Sequence, residues 1–227
     1  MPSNTTYKYV PDGEMLPNVG TLRASAVWGL PDMLATLGVE INIVLNDARL
    51  PRDVFSSRDN VFTYLQMERL LHACEQRSGC DYIGLLIGQR TRMADTGLAG
   101  RAALCEPTAG KGLRSFIDHL NLRNTTATMT LIESGSLATL AYALSEHGTN
   151  DTRHFQSGSI AGSFNVLQDL FGPEWLPVEV RFASRSPSSL RPFRTFFRAP
   201  VQVDCDESAI VGSCRYACPL TPSMTTA

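Results

Sequence analysis

GLRSFIDHLNLRNTTATMTLIESGSLATLAYALS, residues 112–145, holds two hydrophobic periods in succession. Leu113, Phe116, Ile117 and Leu120 recur at three- and four-residue steps, which predicts a helix with one apolar face. Thr108-Ala109-Gly110 leads into it. Beyond it, TATMTLIES and SLATLAYALS alternate near period two on either side of Ser134-Gly135, the pattern of a β-hairpin. A helix running into an antiparallel hairpin points to an α+β fold.

Upstream, helical signals dominate. Apolar residues in TLRASAVWGLPDMLATL (21–37) recur at helical steps, with Pro31-Asp32 as a break and fresh start and Gly38 as C-cap. Residues 39–51 mix a short strand-like run with a turn. Ser57 or Asp59 is the expected cap of a helix through VFTYLQMERLLHACEQRSG. In that helix Phe62, Leu65, Met67, Leu70 and Leu71 fall near one face, and Gly79 ends it. Residues 82–88 read as a short buried strand or helix start. Residues 95–110, rich in Gly and Ala, read as a close-packing or loop region.

Downstream, DTRHFQSGSIAGSFNVLQDLFG reads as a long helix capped near Asp151 and stopped by Gly172-Pro173. VEVRFAS (178–184) reads as a strand and SLRPFRTFF as a short helix started by Pro187-Ser188-Ser189. VQVDCD (201–206) and AIVGS (209–213) read as a second strand pair. The architecture expected is a helical N-terminal part followed by antiparallel strands packed with helices. The alternative is a cupin-like β-sandwich with helices. Residues 1–20 are expected to be a disordered tail, 21–213 one domain, and 214–227 the start of a linker.

Composition narrows the function classes. The 227 residues carry 20 basic and 22 acidic side chains, a net charge of -2. A domain that grips nucleic acid usually shows a basic excess, so direct DNA contact by these residues is not expected. The longest apolar run, Tyr82–Ile87, is far short of the ~20 residues of a transmembrane helix. No signal peptide is read at the N-terminus, so a cytosolic protein is expected. The six cysteines, Cys74, Cys80, Cys105, Cys205, Cys214 and Cys218, include no C-x-x-C, and reduced structural thiols without metal are expected.

Catalytic motifs are wanting. Gly110-Lys111-Gly112 lacks the first glycine and the Ser/Thr of a phosphate-binding loop. GSIAG (158–162) places Ser159 second rather than central, so it is no nucleophile elbow. His72, His119, His147 and His154 share no metal-ligand spacing. No cofactor and no catalytic residue is assigned, and the chain is read as a non-enzyme. Arg181, Arg185, Arg191, Arg194 and Arg198 form one dense cluster. It is read as solvated arginines paired with Glu174, Glu179 and Asp204, over the alternative of an anion contact. Phe193, Phe196 and Phe197 are read as core.

LFGPEWLPVEVRFASRSP (170–187) and FRTFFRAPVQVDCDESAI (193–210) carry a family resemblance. Their pattern is a helix ending in Leu170-Phe171-Gly172, then Trp175 and Pro177, a strand with Val180 and Phe182, and a turn at Pro187. Phe197, Ala199, Pro200, Val201 and Asp204 follow. Pro107-Thr108 with Gly110 and Leu113, and YIGLLIGQR (82–90), extend the pattern to about residues 23–213. This order resembles the N-terminal effector domain of AraC-type transcriptional regulators, of the arabinose-binding type seen in ornithine-utilisation and virulence regulators. The motif residues themselves are structural: core aromatics, a helix stop at Gly172, and turns fixed by proline.

The resemblance implies a domain that binds a small cytosolic metabolite, acts as a homodimer, touches DNA only through a missing C-terminal helix-turn-helix domain, and has no membrane role. The rival from another class is a stand-alone small-molecule or lipid-binding protein, or an enzyme, on the same scaffold. A ligand site is expected between the 111–122 helix, the 126–144 hairpin and the 152–171 helix, lined by Phe116, His119, Met129, Tyr142 and Phe155. Tyr142 and His119 would supply the polar tips. Phe155, Ile160, Phe164 and Leu167, spread over more than one face of the last helix, are the expected dimerisation residues; the alternative is that this helix is buried within one subunit.

Overall fold

The computed structural model describes residues 21–121, 127–144, 151–185 and 187–213. The chain divides into two compact units. One takes in Met1–Ile83 and Glu146–Asp151, and the other Gly84–Ser145 and Thr152–Ala227. The expected tail at 1–20 and the expected linker at 214–227 lie outside the described residues.

The first unit is helical. Strand β1 (Thr21–Arg23) pairs antiparallel with β2 (Val61–Thr63), with Leu22 opposite the buried Phe62. A 3-10 turn (Ala24–Val27) leads to α1 (Leu30–Thr36), which carries a proline in its first turn, where no intrahelical N–H is needed. Gly38, at φ +73°, stops α1 as expected. Residues 39–51 are not strand-like. They form α2 (Ile41–Asp47), because Val44, Leu45 and Ala48 are buried together on one face. Tertiary burial here overrides the β propensity of Ile41, Ile43 and Val44.

Helix α3 (Tyr64–Ser78) is capped neither by Ser57 nor by Asp59. Thr63 accepts a hydrogen bond from the Gln66 backbone N–H, and the Gln66 side chain accepts one from Thr63 N–H, a reciprocal capping box. Met67, Leu70 and Leu71 face inward as expected, but Leu65 is exposed and Phe62 sits on β2. Gly79, at φ +67°, ends the helix. Arg77 grips both carboxylate oxygens of Asp47, at 2.5 and 3.0 Å, and holds that carboxyl below its ordinary range. On the same helix, burial pushes the Cys74 thiol up to about 12. At pH 8 only on the order of one Cys74 in ten thousand is then thiolate. Iodoacetamide at pH 8 is expected to label the exposed Cys105 and to spare Cys74 until denaturant is added. Peptide mass mapping checks this, and equal labelling of the two in the native protein would count against the burial.

The second unit is an α+β layer. Helices α4 (Ile83–Gly88), α5 (Leu98–Leu104), α6 (Ala109–Asn121), α7 (Arg153–Phe171) and α8 (Arg191–Phe197) accompany a five-stranded sheet. Its strands are β3 (Ala127–Ser134), β4 (Leu137–Leu144), β5 (Glu179–Arg181), β6 (Val201–Gln202) and β7 (Ser208–Ser213), in spatial order β3-β4-β7-β5-β6. The segment 82–88 is thus a helix start, and the Gly/Ala-rich stretch contains a helix as well as a loop. The hairpin forms where alternation predicts it, turning at Gly135-Ser136 with Gly135 at φ +60°. The expected strand at 178–184 is shorter. β6 and β7 do not pair with each other: β5 lies between them, parallel to β6 and antiparallel to β7. Only side-chain period is visible in a sequence, and pairing partners are not.

Gly112 and the pair Gly84/Gly88 allow close helix crossings in this unit. A Cβ on Gly84 would stand 2.1 Å from the His154 carbonyl oxygen, and one on Gly88 2.3 Å from that of Gly158. The Asn165 amide then closes the end of α4, donating to the carbonyls of Gly88, Gln89 and Thr91 at 2.8–3.1 Å. Helix C-termini leave such carbonyls without intrahelical partners. Asn165→Ala is expected to lower unfolding free energy by about 2 kcal/mol, since buried acceptors lose their donor. Asn165→Asp should be worse, because it turns an anion toward them. Urea unfolding checks both, and an Asp variant as stable as the parent would refute the role.

Candidate functional site

The sheet register decides which side chains share a face. Met129 pairs with Tyr142, which pairs with Ser208; Leu131 pairs with Leu140, which pairs with Ile210 and, through it, with Val180. Cross-strand partners lie on one face. Met129, Leu131, Leu140 and Tyr142 therefore point the same way, and this face is the buried one.

Two helices are tied to this sheet by polar bonds. Ser208, 1% exposed, donates to Gln156 Oε1 of α7 at 2.9 Å and accepts from the backbone N–H of Ala183 at 3.0 Å. A hydroxyl placed between a donor and an acceptor is fully used, which is the condition for burying it. Tyr142 is the cross-strand neighbour of Ser208. Ser208 and Gln156 thus form a polar pair in an otherwise apolar layer, with Tyr142 beside it in cross-strand register. At the β3 edge of the sheet, Asn121 at the end of α6 donates to Met129 O at 2.9 Å and accepts from Met129 N–H at 3.0 Å.

The structure brings Met129 and Tyr142 into direct register. It places Phe155 one residue before Gln156, buried at the start of α7. Phe116 is buried on α6, the helix whose Asn121 holds β3. His119 is half-buried, with Nδ1 2.7 Å from the Ser115 carbonyl of its own helix. That contact makes Nδ1 the donor, so in the neutral ring Nε2 is the acceptor. Gln156, Ser208 and Asn121 were not singled out in the sequence. Their role depends on strand register and helix docking, which leave no local signal.

The residues expected to dimerise are part of the interior. Ile160, Phe164 and Leu167 are 1, 2 and 3% exposed, and Phe155 is buried. Each face of α7 meets this unit itself. Gln156 meets the sheet, Gly158 and Ala161 meet α4, and Phe164 packs edge-on against Phe196 and Phe197 at 5.1 and 5.5 Å between ring centroids. The apolar residues on several faces are answered by these three neighbours. Of the arginine cluster, Arg181 pairs with Glu179 as expected and lies 3.9 Å from Glu207, and Arg198 donates to the Pro173 carbonyl; among the described residues no ion pair to Glu174 or Asp204 accompanies them. Among the described residues no three His, Cys, Asp or Glu side chains gather as a metal-holding group, and no single helix is long and apolar enough to cross a membrane.

The pattern of the arabinose-binding domain of AraC transcription regulators, an N-terminal domain, matches residues 38–217. The chain belongs to that family. Among its relatives is the ornithine utilization regulator of Pseudomonas aeruginosa, 23% identical over 168 residues, covering 74% of this chain and 50% of the relative. The crystal structure of the transcriptional regulator CdpR from Pseudomonas aeruginosa is similar in fold, with a TM-score of 0.53 and 19% identity over 76% of this chain and 53% of CdpR. This AraC-type domain therefore spans about half the length of both. Its α+β architecture agrees with the sequence expectation, and its relatives are regulators of transcription.

Proposed function

We propose that the domain senses a small cytosolic metabolite, acts as a homodimer, and biases DNA binding or activation by a C-terminal helix-turn-helix domain. The family match over residues 38–217 carries this reading. Coupling of that kind needs an effector that binds two states of the protein unequally. The place with the right chemistry is the inner sheet face beside α6 and α7. Phe116, Met129 and Phe155 offer apolar surface, and Tyr142 and His119 offer polar atoms to orient a ligand. Binding sites in proteins commonly combine mostly apolar walls with a few placed polar groups.

The test uses a full-length regulator carrying this domain. Tyr142→Phe removes one hydroxyl, and Phe116→Ala removes a ring. Each is expected to lower effector affinity about tenfold or more, roughly 1.4 kcal/mol. Isothermal titration and effector-dependent transcription are the readouts, with the fold checked by circular dichroism. Folded variants with unchanged affinity and unchanged transcription would move the site elsewhere. Native mass spectrometry of the purified domain, searched for a small-molecule adduct, supplies the candidate effector.

A further inference from the structure

We propose that β3 is the surface through which two copies of this chain join, edge to edge about a two-fold axis at Ile132. The proposal rests on the reading that the domain acts as a homodimer and names the surface and register. β3 is a terminal strand of the sheet. An eight-residue edge is normally guarded by lysine, proline or a bulge. β3 has no lysine or proline, and it pairs residue for residue with β4 from Ala127 to Ser134, so it has no bulge. From Ala127 to Ile132 it is uncharged.

The Asn121 amide shows which backbone groups point outward. It holds both N–H and C=O of Met129, as a neighbouring strand would. In an antiparallel ladder outward groups recur at every second residue. Leu131 and Glu133 therefore also point outward, and their backbone groups have no partner among the described residues. A second β3, antiparallel, fits these two in one register. Leu131 exchanges two hydrogen bonds with Glu133 of the second copy, Glu133 does the same with Leu131 of the second copy, and Ile132 faces itself. Centring the axis on Leu131 would need Met129, which Asn121 already occupies. Centring it on Glu133 would set two carboxylates face to face.

Side chains support the same register and a self-partner. Ile132 is 49% exposed on the outer face, with exposed Leu137 one strand behind it. On the axis it would cover an identical side chain. Glu133 is already paired with Arg114. Each copy's Glu133 carries its own Arg114, so the acidic residue beside the axis is neutralised in both copies. Addition of a strand to an open edge draws its affinity from main-chain bonds and its specificity from alternate side chains.

The test is made on the full chain. Facing residues of a non-hydrogen-bonded pair have Cα atoms about 4.5 Å apart, within disulfide reach. Under mild oxidation Ile132→Cys is expected to give a dimer whose cross-link maps to residue 132 in both copies, whereas Thr130→Cys, opposite Ser134 of the second copy, is not. In sedimentation equilibrium Ile132→Lys should weaken the dimer at least about tenfold. Leu131→Pro should do the same, removing an outward N–H that the hairpin does not use, while Ile132→Val keeps the parent behaviour. A dimer unchanged by both substitutions, or a cross-link at 130 in preference to 132, would overturn this surface and leave dimerisation standing. A strict monomer at about 1 mM would overturn both.

Discussion

Gly88→Ala is expected to lower the unfolding free energy by about 3 kcal/mol or more, a size reached when a core is overfilled and cannot relax. The added Cβ would lie 2.3 Å from the Gly158 carbonyl oxygen and 2.6 Å from Ala161 Cβ. Neither neighbour is a flexible side-chain end, and both belong to α7, which the sheet and α8 hold from other sides. The helices would have to separate, and the Asn165 amide would then lose its reach to the end of α4. The two defects share one element, so a double variant should be less than additive. Gly162→Ala, on α7, the other helix of the crossing, is the control. There the new methyl meets only the Thr91 side chain, at 3.4 Å, and alanine gains up to about 1 kcal/mol of helix propensity over glycine. No loss is expected. Urea unfolding of both variants decides the matter, and a Gly88→Ala midpoint equal to the parent would show that the crossing yields.

Phe197→Ala should destabilise by about 3–5 kcal/mol, the range for removing a fully buried ring. Phe197 is 0% exposed and, with Phe164, is one of two hubs of the aromatic cluster. Phe196, Phe164 and Phe182 lie 4.9, 5.5 and 6.2 Å from it between centroids, the first two edge-on. Edge-to-face pairs add about 0.5–1.5 kcal/mol each beyond burial, so the upper part of the range is expected. Phe196→Ala, at a half-buried position, should cost less. Thermal unfolding of the two variants gives the order, and the reverse order would refute this hub.

Features that write themselves into consecutive residues were legible from the sequence. The 109–121 helix shows its buried face at Leu113, Phe116 and Ile117, and the hairpin shows period two around a glycine turn. Gly38, Gly79 and Gly172 stop helices at positive φ, where the absence of a Cβ removes the steric penalty. Features set by distant partners were not legible. Ile41, Ile43 and Val44 look like strand residues, and only packing makes them helical. Thr63 outcompetes Ser57 and Asp59 as a cap because Gln66 can answer it three residues later, a box readable in principle from T-x-x-Q. For the candidate site, Met129 and Tyr142 were named from their alternation, whereas Ser208 and Gln156, 52 residues apart in the chain, meet only in the folded unit.

The central strand of the large sheet is also the last in sequence among its described strands. β7 sits between β4 and β5, yet Leu140 must wait for Ile210, about seventy residues further on, before its second edge is closed. At ribosomal speeds of about 5–20 residues per second, the hairpin exists for several seconds with its inner edge open. Local helices and the hairpin form early, and the non-local closure that joins them is slow because loop entropy is spent before contacts repay it. The growing chain thus passes through an interval in which β4 can pair with a wrong strand.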